Sequence, residues 1–173
     1  VARPIGGTRI INATELEQIG KDVYANLRIR IVDTPKARKT TRKVLDSAMT
    51  IECARPILDE HGQVRKVIYA GKILNRNYDL VDELRDTVFE RKFFDSKPVG
   101  TVTIFQDDVR VTTNVLDRNG ERAVGTRVSE AVYHRVVEQG EKWLARAFVV
   151  TDWYITAYEP IRNIEGKIIG ILY

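Results

Sequence analysis

The sequence predicts an α/β chain of the mixed α+β type, built as two tandem modules that each contain an antiparallel sheet flanked by helices. The last third of the chain, Glu141–Tyr173, contains three runs rich in aromatic and β-branched residues with short turns between them, which is typical of an antiparallel meander. A hairpin pattern from this meander also occurs earlier in the chain. These two observations together favour two copies of one small fold.

The repeated hairpin is visible when Ile51–Tyr69 is aligned with Ile155–Tyr173. In each copy a strand contains a proline near its end, a glycine lies in the turn, and an apolar strand returns; these residues are Pro56 and Gly62 in the first copy and Pro160 and Gly166 in the second. Glycine suits a turn because it tolerates positive φ. The spacing is too long for a solenoid repeat and therefore indicates two modules.

The N-terminal module begins with local signals. Asn12 can cap a helix, with Glu15 as its capping-box partner. The alternation over Leu27–Val32 predicts a half-buried strand. Thr34-Pro35 predicts the start of a basic helix over Lys36–Leu45, before the first hairpin.

The remaining elements set the predicted domain limits. Asn77 opens a helix that runs to about Arg91 and links the modules. A hairpin then turns at Gln106-Asp107-Asp108, and Ser129 caps a helix that Gly140 stops. We therefore predict a first module over residues 1–76, incomplete at its N-terminus because its start lies in a long upstream helix. A linking helix and loop cover 77–98, and the second module covers 99–173.

Composition and motifs exclude several classes of function. The net charge is +4 with acids spread among the bases, which favours a solvated mixed-charge surface over nucleic-acid binding. A single cysteine allows no intrachain disulfide and no zinc cluster. Catalytic motifs such as HExxH, GxSxG, GxGxxG and a Walker loop are absent from the sequence, and neither His61 nor His134 has a partner at useful spacing. We therefore expect no enzyme activity, no metal and no cofactor.

Arginines and hydroxyls within aromatic, β-rich surroundings are the candidate ligand-binding groups. A guanidinium beside aromatic rings is a common way to hold a carboxylate through parallel hydrogen bonds. Pairing with Glu141, Glu159 or Asp152 is the structural alternative for these arginines. The candidate residues are Arg110, Thr112, Arg127, Arg146, Trp153, Tyr154, Thr156 and Tyr158.

The sequence also resembles a known family. The segments GTVTIFQDDVRVTTNV, GTRVSEAVY and RAFVVTDWYITAYEPIRNIEGKIIGILY resemble the Cache sensor domains of bacterial and archaeal receptors. The segment IECARPILDEHGQVRKVIYAGKIL has the same strand–Pro–turn–Gly–strand pattern. The resemblance covers residues 48–74 and 99–173 closely, in what looks like a double-Cache arrangement with a membrane-distal first module and a membrane-proximal second one.

This resemblance implies PAS-like modules on the periplasmic or extracellular side of a membrane-anchored receptor. Such receptors are usually homodimeric and carry a chemotaxis, histidine kinase or cyclase output. Family members bind small molecules, and in the amino-acid binders an Asp follows the glycine of the last strand. Here Lys72 follows Gly71, so we expect a short carboxylate or similar anion instead.

We expect this ligand in the second module, between the sheet and the helix that starts at Ser129. Arg127 or Arg146 would hold its charge, and Tyr154 or Tyr158 would donate hydroxyls. Alternation leaves open which side of that strand faces the core, since Trp153, Ile155 and Ala157 form the other set. The alternative function is a ligand-free dimerisation or protein-docking module. A cytosolic PAS-like sensor with a cofactor is the third and weakest reading, because the sequence has no haem or flavin ligand set.

Overall fold

The computed structural model describes residues 3–94, 97–150 and 152–173 of the chain. The first part contains β1 (Ile5–Ile11), α1 (Ala13–Ile19), α2 (Lys21–Leu27), β2 (Ile29–Arg30), β3 (Val44–Leu45), β4 (Ala48–Leu58) and β5 (Val64–Ile73). After it come α3 (Tyr78–Val88), β6 (Phe93–Phe94), β7 (Lys97–Pro98), β8 (Thr103–Gln106) and β9 (Val109–Thr113). The last elements are α4 (Glu130–Tyr133), which continues as a π-helix (His134–Glu138), β10 (Trp143–Val149), β11 (Asp152–Arg162) and β12 (Ile168–Leu172).

The C-terminal part forms a five-stranded antiparallel sheet in the order β10-β11-β12-β8-β9. The helix α4 and its π-helical continuation lie on one face, where Val132 and Val136 are fully buried in one core cluster with Phe105, Tyr158 and Ile171. Val132 and Val136 are four residues apart, so both lie on the face of the helix that meets the sheet. Antiparallel sheets with few helices fit the predicted PAS-like α+β fold.

The N-terminal part forms a three-stranded antiparallel sheet in the order β1-β4-β5. The predicted capping box is present, because Asn12 Oδ1 accepts from the Glu15 N–H and Glu15 accepts from the Asn12 N–H. This sheet has a thin core, formed by Ile11, Leu16 and Ala48 with Leu27. Strand β5 is therefore exposed over most of its length.

The two predicted hairpins have the same turn. In the first, Asp59 N–H donates to Gln63 O at 2.9 Å and Gly62 N–H donates to Asp59 O at 3.0 Å. In the second, Asn163 N–H donates to Lys167 O and Gly166 N–H donates to Asn163 O, both at 2.9 Å. The register shifts at Ile57/Leu58 and at Ile161/Arg162, which are equivalent positions. The same sequence pattern therefore specifies the same local structure twice.

The two sheets are joined through a shared core. Buried side chains from the N-terminal part, such as Leu45 and Met49, pack in one cluster with Val81, Ile104 and Val111 from the C-terminal part. This cluster lies on the face of β8–β9 that is turned away from α4. The segment between the hairpins therefore packs against both parts of the chain through Val81.

The prediction of a helix over 36–45 is wrong. A turn at Thr34–Ala37 is followed by extended chain that leads into β3. One basic side chain of this segment binds partners far along the sequence: Arg38 donates to Asp107 at 2.8 Å and to Asp108 at 2.9 Å. These ion pairs hold the segment across the tip of the β8–β9 hairpin.

We expect Gly125→Ala to destabilise the protein more than Gly120→Ala does. Both glycines have positive φ, +88° and +80°, where an L side chain costs about 1–2 kcal/mol. Only Gly125 is also crowded, because an added Cβ would lie 2.2 Å from the carbonyl oxygen of Arg30. Urea unfolding of both variants measures the difference, and equal losses would show that this close approach is not rigid.

A pH-dependent stabilisation is expected from the Arg122–Asp82 ion pair, which ties residues 121–125 to α3. Burial alone would raise the pKa of Asp82, but hydrogen bonds from Arg122 and the charges of Arg122 and Arg85 outweigh it and lower this pKa below 3.8. Because the folded-state pKa is depressed, the stabilisation is present above about pH 3.8 and is lost as the pH falls through the folded value.

The measurement for this prediction is urea unfolding of wild type and Asp82→Asn across an acidic pH series. The difference in unfolding free energy should be largest near neutrality and should shrink towards pH 3. A difference that is constant with pH would mean that the ionised form of Asp82 does not matter.

Candidate functional site

Strand β11 presents the predicted polar side chains to the core. Across the β10–β11 ladder Ala145 pairs with Thr156 and Ala147 pairs with Tyr154, so these residues share a face. Thr156 and Tyr158 are buried on that face, and Tyr154 is more exposed towards its edge. The set of Tyr154, Thr156 and Tyr158 therefore faces α4, which answers the question that the alternation had left open.

Arg110 lies on the same side of the sheet, on strand β9. Arg110 is 3% exposed, and its Cζ lies 5.0 Å from the centroid of the Phe105 ring. Its Nη1 donates to Thr126 Oγ1 at 2.7 Å, whereas its Nε is buried without a hydrogen-bond partner. It forms no ion pair with any Asp or Glu that the structure describes. A buried guanidinium thus lacks a neutralising carboxylate.

The electrostatic surroundings of Arg110 are polar but uncharged at neutral pH. Burial lowers the pKa of Arg110 to about 10, and the hydroxyls of Tyr158 and Tyr173 oppose this only in part. Burial likewise raises the pKa of both tyrosines, so their hydroxyls stay protonated. At neutral pH the guanidinium keeps its charge, and the neighbouring hydroxyls can act as hydrogen-bond donors.

Several polar groups of this face were not singled out from the sequence. Thr103 and Thr113 are fully buried and share a hydrogen bond of 2.6 Å, and Tyr173 hydrogen-bonds to Thr101 at 2.8 Å. Trp143 pairs with Tyr158 across the ladder, and its Nε1 is buried without a partner. These groups lie beside Thr156 and Tyr158 on neighbouring strands of the same face. Finding them requires knowing which strands pair, and the sequence does not give this pairing.

Arg127 has a protein partner for its charge. Its Nε donates to Asp108 Oδ2 at 3.0 Å, its Nη2 also hydrogen-bonds to that oxygen, and its Nη1 donates to the carbonyl of Arg38. Asp108 Oδ2 additionally accepts from Arg38 Nε. The arginine that precedes α4 is therefore held within a buried charge cluster at the hairpin tip.

The other predicted residues lie elsewhere. Arg146 pairs with Ile155 on the opposite, exposed face of the β10–β11 ladder. Thr112 is buried towards α3, where its Oγ1 donates to Asn77 O at 3.0 Å. The side chain of Trp153 lies outside the part of the chain that the structure describes. Of the predicted set, the structure brings Arg110, Thr156 and Tyr158 to one buried face.

This arrangement suits binding of an anion more than chemistry. It offers a cation and several hydroxyl donors, with no described nucleophile–base pair beside them. Within the described ranges, no group of three or more His, Cys, Asp or Glu residues could hold a metal ion. Where the chain is described, its helices are each too short or too polar to cross a bilayer.

A comparison with known protein families finds a match. The family model for single Cache domain 3 matches residues 72–173, which is more than half of the chain and includes the whole five-stranded sheet. Neither the curated proteins nor the solved structures contain a significant match.

Proposed function

Since the chain belongs to the single Cache domain 3 family, we propose that it senses a small carboxylate, which binds at Arg110 between the five-stranded sheet and α4. Cache domains are in general extracytoplasmic ligand-sensing modules and are not catalytic. The proposal goes further than the family because it names a ligand class and an anchoring residue in this chain.

The observation that carries the proposal is the missing counter-ion of Arg110. Burying a charge is costly unless it is paired, and the cost falls when a partner satisfies its free donors. A ligand carboxylate would accept from the unpartnered Nε and would neutralise the guanidinium. Hydroxyls of Tyr158 and Tyr173 would supply further donors, and the apolar cluster beneath α4 would contact the carbon chain.

Binding would transmit a signal by favouring one of two conformations. A ligand shifts such an equilibrium only by its differential affinity for the two states. The element best placed to respond is α4, because it covers the buried face and continues into a π-helix at His134–Glu138, a feature that is frequent at functional sites. Displacement of this helix would accompany entry of the ligand.

The finer assignments form part of the same proposal. We propose a double-Cache arrangement, for which the identical turns of the two hairpins are the support. We further propose that the parent is a membrane-anchored, homodimeric chemotaxis receptor or sensor histidine kinase, with this domain in the periplasm or outside the cell.

The test is a thermal-shift screen of short mono- and dicarboxylates, each beside its neutral amide. A ligand that binds only the native state raises its stability by about 2.7 kcal/mol at a hundredfold excess over Kd. We expect at least one acid to raise the melting temperature in a saturable manner while its amide does not. Equal shifts with acids and amides, or no shift with any acid, would contradict the proposal.

A second candidate function is docking of a partner or a second copy. The exposed face of β10–β11 carries Leu144 and Ile155, which are 79% and 85% exposed, and it forms a groove of about 440 Å³ with α3. Exposed apolar patches of this kind mark interaction surfaces. Analytical ultracentrifugation of Leu144→Asp tests this function, with Val64→Asp as an exposed control in β5. Loss of dimers in Leu144→Asp alone would support it, and unchanged association in Leu144→Asp would exclude it.

A further inference from the structure

A cavity lies beside the core shared by the two sheets, since Ile29 and Val124 belong to both. Its volume is about 430 Å³, which is within the range of small-molecule sites. Side chains from both parts of the chain surround it, namely Ile29, Arg30, Val32, Arg76, Tyr78, Glu121, Arg122 and Val124. Three arginines from three separate segments therefore meet around one opening.

These arginines differ in their partners. Arg122 donates to Asp82 at 2.6 Å and stacks over the Tyr78 ring, with its Cζ 4.6 Å from the centroid. Neither Arg30 nor Arg76 forms an ion pair with a carboxylate in the described ranges, and Arg76 makes one side-chain hydrogen bond of 3.4 Å, to Arg28 O. Both guanidiniums are exposed at the cavity and have no ion-pair partner among the residues that the structure describes.

Hydrogen bonds fix the backbone near both arginines. The segment that carries Arg30 lies against Gly125, because Val32 N–H donates to Gly125 O at 2.9 Å. Arg76 has φ +56° and its N–H donates to Val111 O at 2.9 Å. A left-handed conformation is unfavourable for arginine and would be relieved by glycine. We therefore expect Arg76→Gly to keep this backbone conformation and to relieve the strain.

We propose that this cavity binds a phosphorylated small molecule, with its phosphate held between Arg30 and Arg76. Two guanidiniums from separate elements can each donate two hydrogen bonds to a tetrahedral dianion. The ion pair of Arg122 with Asp82 is neutral, so the two guanidiniums of Arg30 and Arg76 match the double negative charge of a phosphate. Glu121 also lines the cavity and opposes the binding of any anion. The Tyr78 ring and the aliphatic side chains would contact an organic substituent.

This site is independent of the one at Arg110. Arg110 does not line the cavity, which borders the core shared by the two sheets, and the ligands differ in charge and size. A failure of either proposal would leave the other in place.

The test is calorimetry with phenyl phosphate, inorganic phosphate and phenol. We expect phenyl phosphate to bind more tightly than inorganic phosphate, and phenol not to bind. Arg30→Ala and Arg76→Gly should each weaken phenyl phosphate binding at least about tenfold, the effect of losing a charge-assisted contact. Glu121→Gln should strengthen it by removing a like charge.

Two controls make the result decisive. Arg55→Ala removes an exposed arginine from β4 and should change the affinity by less than about twofold, as long-range electrostatics does at moderate salt. Arg76→Gly should unfold at the same temperature as wild type or higher, which separates loss of binding from loss of structure. The proposal would be overturned if wild-type protein bound neither phenyl phosphate nor inorganic phosphate. It would also be overturned if the Arg30 or Arg76 variant bound phenyl phosphate as tightly as wild type, or if Arg55→Ala lost as much affinity as they do.

Discussion

Asp108→Asn is expected to lower the free energy of unfolding by about 3–5 kcal/mol. Asp108 and Arg127 are 4% and 5% exposed at their side chains, and one carboxylate oxygen of Asp108 accepts from both Arg127 and Arg38. Removing the carboxylate leaves the buried Arg127 guanidinium without its neutralising charge. That penalty is large because the guanidinium is almost fully buried and pairs with no other described carboxylate.

The neighbouring Asp107→Asn is the matched control. Asp107 pairs with Arg38 but its side chain is 42% exposed, so the loss should be below about 1 kcal/mol. Urea unfolding of both variants, with Arg127→Met and the Asp108→Asn/Arg127→Met double variant, gives the coupling energy of the buried pair. A loss in Asp108→Asn no greater than in Asp107→Asn would show that the pair is not a significant buried ion pair.

The parts of the fold that were predictable from sequence are those with local causes. The cap at Asn12, the glycine turns of both hairpins and the helix after Asn77 depend on residues within four positions of one another. Alternation along β11 correctly gave one common face for Tyr154, Thr156 and Tyr158. The π-helix after α4 has no such local signal that we recognise.

The parts that were not predictable depend on partners distant in sequence. The basic segment from Lys36 looked helical, yet Arg38 binds carboxylates 69 and 70 residues away, which holds the chain extended. Arg110 and Arg127 lie in similar sequence contexts, but only the folded chain brings Asp108 to Arg127 and leaves Arg110 with a threonine hydroxyl. Which arginine lacks a counter-ion is therefore a property of tertiary structure.

Arg110→Met is expected to stabilise the ligand-free protein and to weaken carboxylate binding strongly. Methionine fills much of the same volume without a charge or an unsatisfied donor, so about 1–3 kcal/mol of burial cost should be recovered. Binding should weaken by at least about a hundredfold, because a buried charge-assisted pair is lost. Arg146→Met is the control, since that side chain lies on the opposite exposed face and should change neither quantity.

We propose that the buried cation Arg110 has a ligand anion as its partner. Its most direct test is urea unfolding of wild type and Arg110→Met, each with and without the best acid from the carboxylate screen. We predict that Arg110→Met is the more stable protein without ligand and that only wild type gains stability when the acid is added. An Arg110→Met protein that is less stable than wild type without ligand, and that gains as much stability from the acid, would contradict the claim.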